Sequence, residues 1–192
     1  MSKHEILLFL TDRWCDWEAS YVTAVANSFS TYTVKTIGID TEDKVSMGGL
    51  KVKVDYSIHD YQNFDHLSLL ILPGGLSWEE HPYDEIAAFV TVVKKHEIPL
   101  AAICGATYFL CRHGFLNQLK HTGDSLALFK SVAAYQGEKF FVPAQVVFDQ
   151  GIMTANETAA VEFAYQLFKL LKIDSEEEIE QWFEHFQNGA VH

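Results

Sequence analysis

The residue best suited to covalent chemistry in this chain is Cys104, which directly follows an apolar segment predicted to be a buried strand, Pro99 to Ile103. Gly105 comes next, and a helical pattern follows. This order is typical of a nucleophile elbow, a tight turn from strand to helix that presents a reactive side chain at the edge of a sheet. Free backbone amides at the start of a helix favour a thiolate. We therefore predict that Cys104 is a nucleophile; the alternative is a small core residue.

Two other predicted strands end in residues that could assist a cysteine. Glu18 follows the apolar strand from Glu5 to Thr11, and Gly74 and Gly75 follow the strand from Leu67 to Leu72. In parallel α/β sheets, ligands bind at the carboxyl ends of the strands, so we expect these residues to meet the cysteine. A protonated Glu18 would donate a hydrogen bond to a thiolate, whereas an ionised Glu18 would raise the thiol pKa. The alternative is that Glu18 only complements the helix dipole.

An oxyanion formed at the cysteine would need hydrogen-bond donors. We predict that the backbone amides of Gly75 and Gly105 supply these hydrogen bonds. The alternative for Gly75 is that it forms an ordinary turn at the end of a strand.

A cysteine hydrolase also needs a histidine base. The nine histidines are scattered without ligand-type pairs, and His121 is the best candidate, on a predicted short strand that leads into a helix. The sequence leaves open whether Asp124 caps the following helix or faces the pocket. Cys15 and Cys111 are expected in the core.

The remaining pattern predicts strands that alternate with helices, and hence an α/β fold with a mainly parallel sheet. Helices are predicted over residues 16–28, 79–95, 157–171 and 175–186, and a small two-stranded excursion is predicted around a Gly-Gly turn at 48–49. In the first helix, Trp17, Tyr21, Val25 and Phe29 are expected to share the apolar side. The last helix opens with the capping-box pattern of Ser175.

Composition excludes several classes of function. The chain has 192 residues and a formal net charge of −12, which makes nucleic acid or an anionic membrane an improbable partner. No segment approaches the roughly 20 apolar residues needed to span a bilayer, and the start has no signal-peptide layout. Three cysteines without C-x-x-C spacing suggest free thiols in a reducing, cytoplasmic compartment.

Four segments together resemble the ThiJ/PfpI family, within the class I glutamine amidotransferase-like superfamily. Their order and spacing carry the resemblance over roughly residues 5–172. They read Asp-Trp-Glu at 16–18, Leu-Pro-Gly-Gly at 72–75, Ala-Ile-Cys-Gly-Ala at 102–106, and Gly-Ile-Met-Thr-Ala-Asn at 151–156, the last leading into Val-Glu-Phe-Ala at 161–164.

The resemblance implies a flavodoxin-like three-layer α/β sandwich with a nucleophile elbow, and a homodimer. It implies that Cys104 is the oxidisable elbow cysteine, Glu18 its acidic partner, and Gly75 and Gly105 the oxyanion amides. No metal or organic cofactor is implied. Residues 1–192 are expected to form a single domain, in which a helix at about 174–187 is an addition to the family fold. The family's histidine follows the nucleophile or lies near 122–124, so His121 departs from the pattern by a few residues.

Members of that family include intracellular proteases, glyoxalase-like or deglycase-like enzymes, chaperones and oxidative-stress proteins. The resemblance therefore implies the site better than the reaction. We expect a cysteine-dependent hydrolase or a glyoxalase/deglycase-like enzyme that acts on a small carbonyl or amide substrate. The alternative is a non-catalytic redox-sensing or stress-response protein that uses the oxidisable Cys104. A third possibility is a small-molecule binding pocket in which Cys104 has no role.

Overall fold

A central sheet of seven strands organises the computed structural model, which describes residues 4–190. The strand order is β5-β2-β1-β6-β7-β9-β8, and every pair is parallel except β8 with β9. The short strands β3 and β4 form the antiparallel excursion predicted around the Gly-Gly turn. The strands are β1 (Glu5–Phe9), β2 (Thr33–Gly38), β3 (Lys44–Val45), β4 (Lys51–Val52), β5 (Tyr56–Ser57), β6 (Leu67–Leu72), β7 (Leu100–Ile103), β8 (Val146–Asp149) and β9 (Ile152–Ala155).

Seven helices are present among the described residues. They are α1 (Asp16–Phe29), α2 (Ser77–Glu80), α3 (Asp84–Lys95), α4 (Gly105–Arg112), α5 (Leu126–Lys130), α6 (Ala160–Leu171) and α7 (Glu176–Asn188). Within residues 4–190, none of them combines the length and the apolar character that a bilayer crossing requires.

Successive side chains of β1 point to opposite faces of the sheet, and both faces are covered. Ile6 and Leu8 pack in one apolar cluster with residues of α1 and α6, whereas Leu7 and Phe9 pack in the other with residues of α3 and α4. All five residues of β1 are buried, which explains its nearly continuous apolar sequence. The predicted fold class is therefore confirmed: a flavodoxin-like three-layer α/β sandwich.

The apolar side predicted for α1 is partly wrong. Trp17 and Phe29 are exposed, and the buried apolar residues of this helix are smaller ones such as Ala19, Val22 and Ala26. Small side chains let the helix approach the sheet closely, so the helix turns its alanine-rich side inward.

The predicted helix over residues 79–95 is interrupted. Helix α2 ends at Glu80, and α3 begins at Asp84 after Pro82 and Tyr83, whose φ of 55° is left-handed. Proline lacks an amide donor and disfavours helical backbone at the residue before it, which explains the break.

Helix α7 forms as predicted and packs on the layer that contains α1 and α6. Its cap is Ser175, whose hydroxyl accepts a hydrogen bond from the Glu178 amide. Phe183 stacks on Tyr165 of α6 with ring centroids 4.1 Å apart. Such aromatic pairs contribute about 0.5–1.5 kcal/mol beyond the area they bury, so α7 is well attached to the sandwich.

Candidate active site

Cys104 lies in a constrained turn between β7 and α4. Its backbone has φ 55° and ψ −130°, a conformation that costs an L-residue on the order of 1–3 kcal/mol. Neighbouring groups hold the turn: the Cys104 amide donates to the Ala155 carbonyl at 3.0 Å, and the Cys104 carbonyl accepts from the Thr107 amide at 2.8 Å and from its hydroxyl at 2.7 Å. The chain therefore forms the predicted strand–cysteine–helix elbow.

Glycines allow the strand ends to crowd around this cysteine. A Cβ on Gly74 would lie 2.7 Å from the Cys104 Cβ and 2.8 Å from Glu18 Oε2, and a Cβ on Gly105 would lie 2.9 Å from the Gly75 carbonyl oxygen. The backbone amide of Gly105 acts on the Cys104 sulfur. The backbone nitrogen of Gly75 would lie 3.6 Å from a Cβ placed on Gly105. The Gly75 nitrogen therefore lies close to Gly105 at the elbow, and their role in holding an oxyanion stays a prediction.

Glu18 reaches this turn from the first helical turn of α1 and is almost fully buried, with 1% of its surface exposed. Its Oε2 accepts a hydrogen bond from the Gly74 amide at 2.6 Å. Among residues 4–190, its Oε1 has no nitrogen or oxygen partner, and the thiols of Cys104 and Cys15 are its other polar neighbours. Burial raises the pKa of Glu18 from 4.5 to about 7, against the opposing effect of the Gly74 hydrogen bond. Because Glu18 accepts a hydrogen bond from Gly74, which follows β6, its role is not limited to complementing the dipole of α1.

Neighbouring groups shift the pKa of the Cys104 thiol in opposite directions. The neighbouring Cys15 sulfur, burial, and the negative charges of Glu18 and Asp124 raise its pKa, and the Gly105 amide opposes them. With a Glu18 pKa of about 7, both effects that the sequence left open are accessible near neutral pH, because the carboxyl group is protonated below that pH and ionised above it. The Gly105 amide at the start of α4 lowers the thiol pKa, as expected for a helix start, while the Cys15 side chain, burial and the two carboxyl groups act against it.

Asp124 is a second carboxyl group beside Cys104. Its Oδ1 accepts from the Glu157 amide at 2.7 Å, while the side chain of Ser125 caps α5. Asp124 therefore lies beside the elbow cysteine and is not the helix cap. Ligand atoms of Cys104, Asp124 and Glu157 lie within 4.8 Å of one another and could hold a cation. Both carboxylates are exposed, however, and such acidic groups are common without a metal, so none is assigned.

His121 does not contribute to this arrangement. It is fully buried; Nδ1 is bonded to the Leu119 carbonyl at 2.9 Å and Nε2 to the Tyr135 hydroxyl at 2.8 Å. The rings of Phe129 and Phe141 pack against it, and burial lowers its pKa. The prediction that His121 is the catalytic base is therefore not supported, because both ring nitrogens are occupied away from Cys104. The predicted strand at 120–124 is reduced to a single bridge with Phe141.

A sequence model of the DJ-1/PfpI family matches residues 4–170. The chain belongs to the DJ-1/PfpI family. Two Bacillus subtilis (strain 168) proteins, named uncharacterized proteases YdeA and YoaZ, are 35% and 32% identical to it. The YdeA match covers 97% of this chain and 92% of the relative, and the YoaZ match covers 95% and 90%.

Solved structures agree with this membership. The DJ-1 superfamily protein Atu0886 from Agrobacterium tumefaciens is 32% identical with a TM-score of 0.89, covering 96% of this chain and 98% of that one. A thiJ/pfpI family protein from Bacillus anthracis is 30% identical with a TM-score of 0.91, covering 99% and 94%. Helix α7 lies beyond the segment matched by the DJ-1/PfpI model, but these matches cover nearly the whole chain.

One neighbour of the elbow in this DJ-1/PfpI protein was not predicted as part of the site. Cys15 was expected in the core and is indeed buried, but it is also a neighbour of the Cys104 thiol and of the Glu18 carboxyl group and acts on the pKa of both. Its position three residues before Glu18, about one helical turn, is the signal that could have indicated this. Cys111, by contrast, is a buried core residue whose sulfur faces the Phe129 carbonyl at 3.8 Å.

Proposed function

We propose that this protein is a cysteine-dependent enzyme in which Cys104 attacks a small activated carbonyl compound and Glu18 carries the proton. One observation supports this above all: a partly exposed thiol on a constrained turn lies against a buried carboxyl group with a pKa of about 7. A carboxyl group with a pKa near neutrality is suited to accept and return a proton in one reaction cycle.

The first step of the proposed reaction begins from an ionised Glu18 and a neutral Cys104 thiol. The ionised Glu18 takes the thiol proton while the Cys104 sulfur bonds to the carbonyl carbon, so that no free thiolate need accumulate. Negative charge then develops on the substrate oxygen. The neighbouring amides of Gly75 and Gly105 are suitable donors for that oxygen, and such donors are typically worth about 2.7–4 kcal/mol in the transition state. Glu18 then returns the proton to that oxygen, which gives a neutral hemithioacetal; when the C–S bond breaks and the product leaves, the sulfur recovers its proton through Glu18.

The groups around the sulfur favour an aldehyde of the glyoxal type as the substrate. Addition of a thiol to an aldehyde requires no leaving amine, whereas amide hydrolysis needs an acid that protonates one. The ionisable groups that act on the Cys104 thiol are Cys15, Glu18 and Asp124, with no imidazole among them in residues 4–190. The relatives named as uncharacterized proteases make hydrolysis of an amide or ester the other reaction to examine.

A redox-sensing or stress-response role is the second candidate function. The partial exposure of the Cys104 thiol supports it, because an oxidant can reach an exposed sulfur. The two functions differ in what happens to the sulfur: in the first it is regenerated in each turnover, whereas in the second it is left oxidised.

A substrate screen with two cysteine variants tests the enzymatic proposal. Wild type, Cys104→Ala and Cys111→Ala are assayed against small glyoxals and, separately, against ester and peptide substrates. We expect wild type and Cys111→Ala to consume glyoxals and Cys104→Ala to be inactive although it folds, as judged by circular dichroism. Turnover that survives in Cys104→Ala would overturn the proposal, and activity confined to esters or peptides would replace the glyoxal reaction with hydrolysis.

A further inference from the structure

Two thiols and a thioether are close together at the elbow. The Cys15 side chain is a neighbour of the Cys104 thiol and acts on its pKa, and the Cys15 sulfur is 3.3 Å from the Met47 sulfur. The Cys15 amide donates to the Gly74 carbonyl at 3.0 Å. Gly74 is also the residue on which a Cβ would be 3.0 Å from the Cys104 sulfur. The two cysteines therefore flank the same glycine, Gly74.

We propose that Cys15 is the resolving cysteine for Cys104, so that oxidation by a hydroperoxide ends in a reversible Cys15–Cys104 disulfide within one chain. This goes beyond the proposed function, since it requires only that Cys104 reacts with a peroxide and not that it turns over a carbonyl substrate. It also assigns a chemical role to a residue that otherwise packs in the core.

The chemistry proceeds in two balanced steps. The Cys104 sulfur attacks one oxygen of the hydroperoxide, the O–O bond breaks, and the sulfenic acid forms while the alkoxide leaves and takes up the thiol proton as an alcohol. The Cys15 sulfur then attacks the Cys104 sulfur, the S–O bond breaks, and the hydroxide leaves as water with the Cys15 proton. In total, two thiols and one hydroperoxide give one disulfide, one alcohol and one water.

Exposure and geometry decide the order of these steps. Cys104 is partly exposed, whereas Cys15 is 4% exposed, so the oxidant meets Cys104 first. Each cysteine is the residue directly before a helix, Cys15 before α1 and Cys104 before α4. The disulfide would thus join the loops that follow β1 and β7, the two strands on either side of β6, and leave both helices in place. Cys111 is fully buried within α4, and its sulfur faces the Phe129 carbonyl.

Mass spectrometry of the oxidised protein tests the proposal. The Cys111→Ser variant is used as the reference, so that only Cys15 and Cys104 remain, and it is treated with hydrogen peroxide. We expect the intact mass to fall by two hydrogen atoms, a linked pair of tryptic peptides that contains both cysteines, and full reversal by dithiothreitol. Adding Cys15→Ser should change the product to Cys104 carrying two or three oxygen atoms, which dithiothreitol does not remove.

Two results would overturn the proposal. One is oxygen addition at Cys104 in the reference variant without any linked peptide, and the other is the same oxidised product with and without Cys15. If Cys15→Ser fails to fold, the presence or absence of the linked peptide in wild-type protein decides. A protein that forms the disulfide yet turns over no carbonyl substrate would contradict only the proposed function, and the reverse result would contradict only this inference.

Discussion

Two buried ionisable side chains of this protein have opposite hydrogen-bonding situations. Glu18 and His121 are both almost completely removed from solvent. Both nitrogens of His121 have partners, namely the Leu119 carbonyl and the Tyr135 hydroxyl. Glu18 has one strong partner, the Gly74 amide, and its second oxygen is bonded to no nitrogen or oxygen in the described chain.

This difference separates a structural group from one suited to chemistry. The hydrogen bonds of His121 satisfy a neutral ring, which can remain in the core without exchanging a proton. Glu18 is left under-solvated next to two thiols, so its pKa moves to about 7 and both of its protonation states are accessible. A cysteine hydrolase usually uses a histidine base, and in the reaction proposed for this protein the Glu18 carboxyl group takes that role.

The largest effect that tests this contrast is the expected loss of kcat/KM in the Glu18→Gln variant. Glutamine keeps an oxygen for the Gly74 amide but cannot take the thiol proton, so kcat/KM on the substrate found by the screen should fall by roughly 100- to 10,000-fold. Wild-type kcat/KM should rise with pH through about 7 as Glu18 ionises, and this rise should be absent in the variant.

Glu176→Gln is the control for this measurement, since Glu176 is an exposed carboxylate in the first turn of α7. Its kcat/KM and pH profile should match those of wild type. A Glu18→Gln enzyme that keeps its rate, or whose rate still rises through pH 7, would remove Glu18 from the proton transfer.

A smaller effect is expected on the pH dependence of the free energy of unfolding. The folded-state pKa of Glu18, about 7, is above its ordinary value of 4.5, so the stability it contributes is complete below pH 4.5 and is lost as pH rises through 7. The loss is on the order of 3 kcal/mol. Burial lowers the pKa of His121, so its effect has the opposite sign: stability is lost as pH falls below 6.5.

Urea unfolding of wild type and Glu18→Gln from about pH 5 to about pH 8 measures this effect. We expect the free energy of unfolding of Glu18→Gln to increase relative to that of wild type as pH rises, because glutamine has no proton to lose. Parallel curves for the two proteins over the whole range would show that the Glu18 pKa is not raised.

How far the sequence predicts these two regions depends on how local their determinants are. The apolar strands before Glu18 and Cys104, together with the glycines that follow the strand ends, were sufficient to predict that these groups meet, because parallel strands end at one edge of a sheet. The small residue after the cysteine likewise predicted the elbow. These signals lie within a few residues of the groups they position.

Other side chains depend on contacts between distant segments, which periodicity does not describe. His121 is positioned by Tyr135 and Phe141, residues 14 and 20 positions later, so its proximity in sequence to the family's histidine position was misleading. Cys15 is turned toward the elbow by the hydrogen bond from its amide to Gly74, on another strand end. The side of α1 that packs against the sheet is formed by small residues such as Ala19 and Ala26 and not by the aromatic residues of the helix.

The smallest effect should come from the His121 region, where we expect stability and not rate to change. His121→Leu leaves the Leu119 carbonyl and the Tyr135 hydroxyl without their partner, and should cost about 1–3 kcal/mol in the free energy of unfolding. Tyr135→Phe removes only one hydrogen bond and should cost about 1 kcal/mol. Because the two residues share that bond, the double variant should lose less than the sum of the two single losses. All three variants should keep kcat/KM within about three-fold of wild type, whereas a loss comparable to that of Glu18→Gln would show that His121 takes part in catalysis after all.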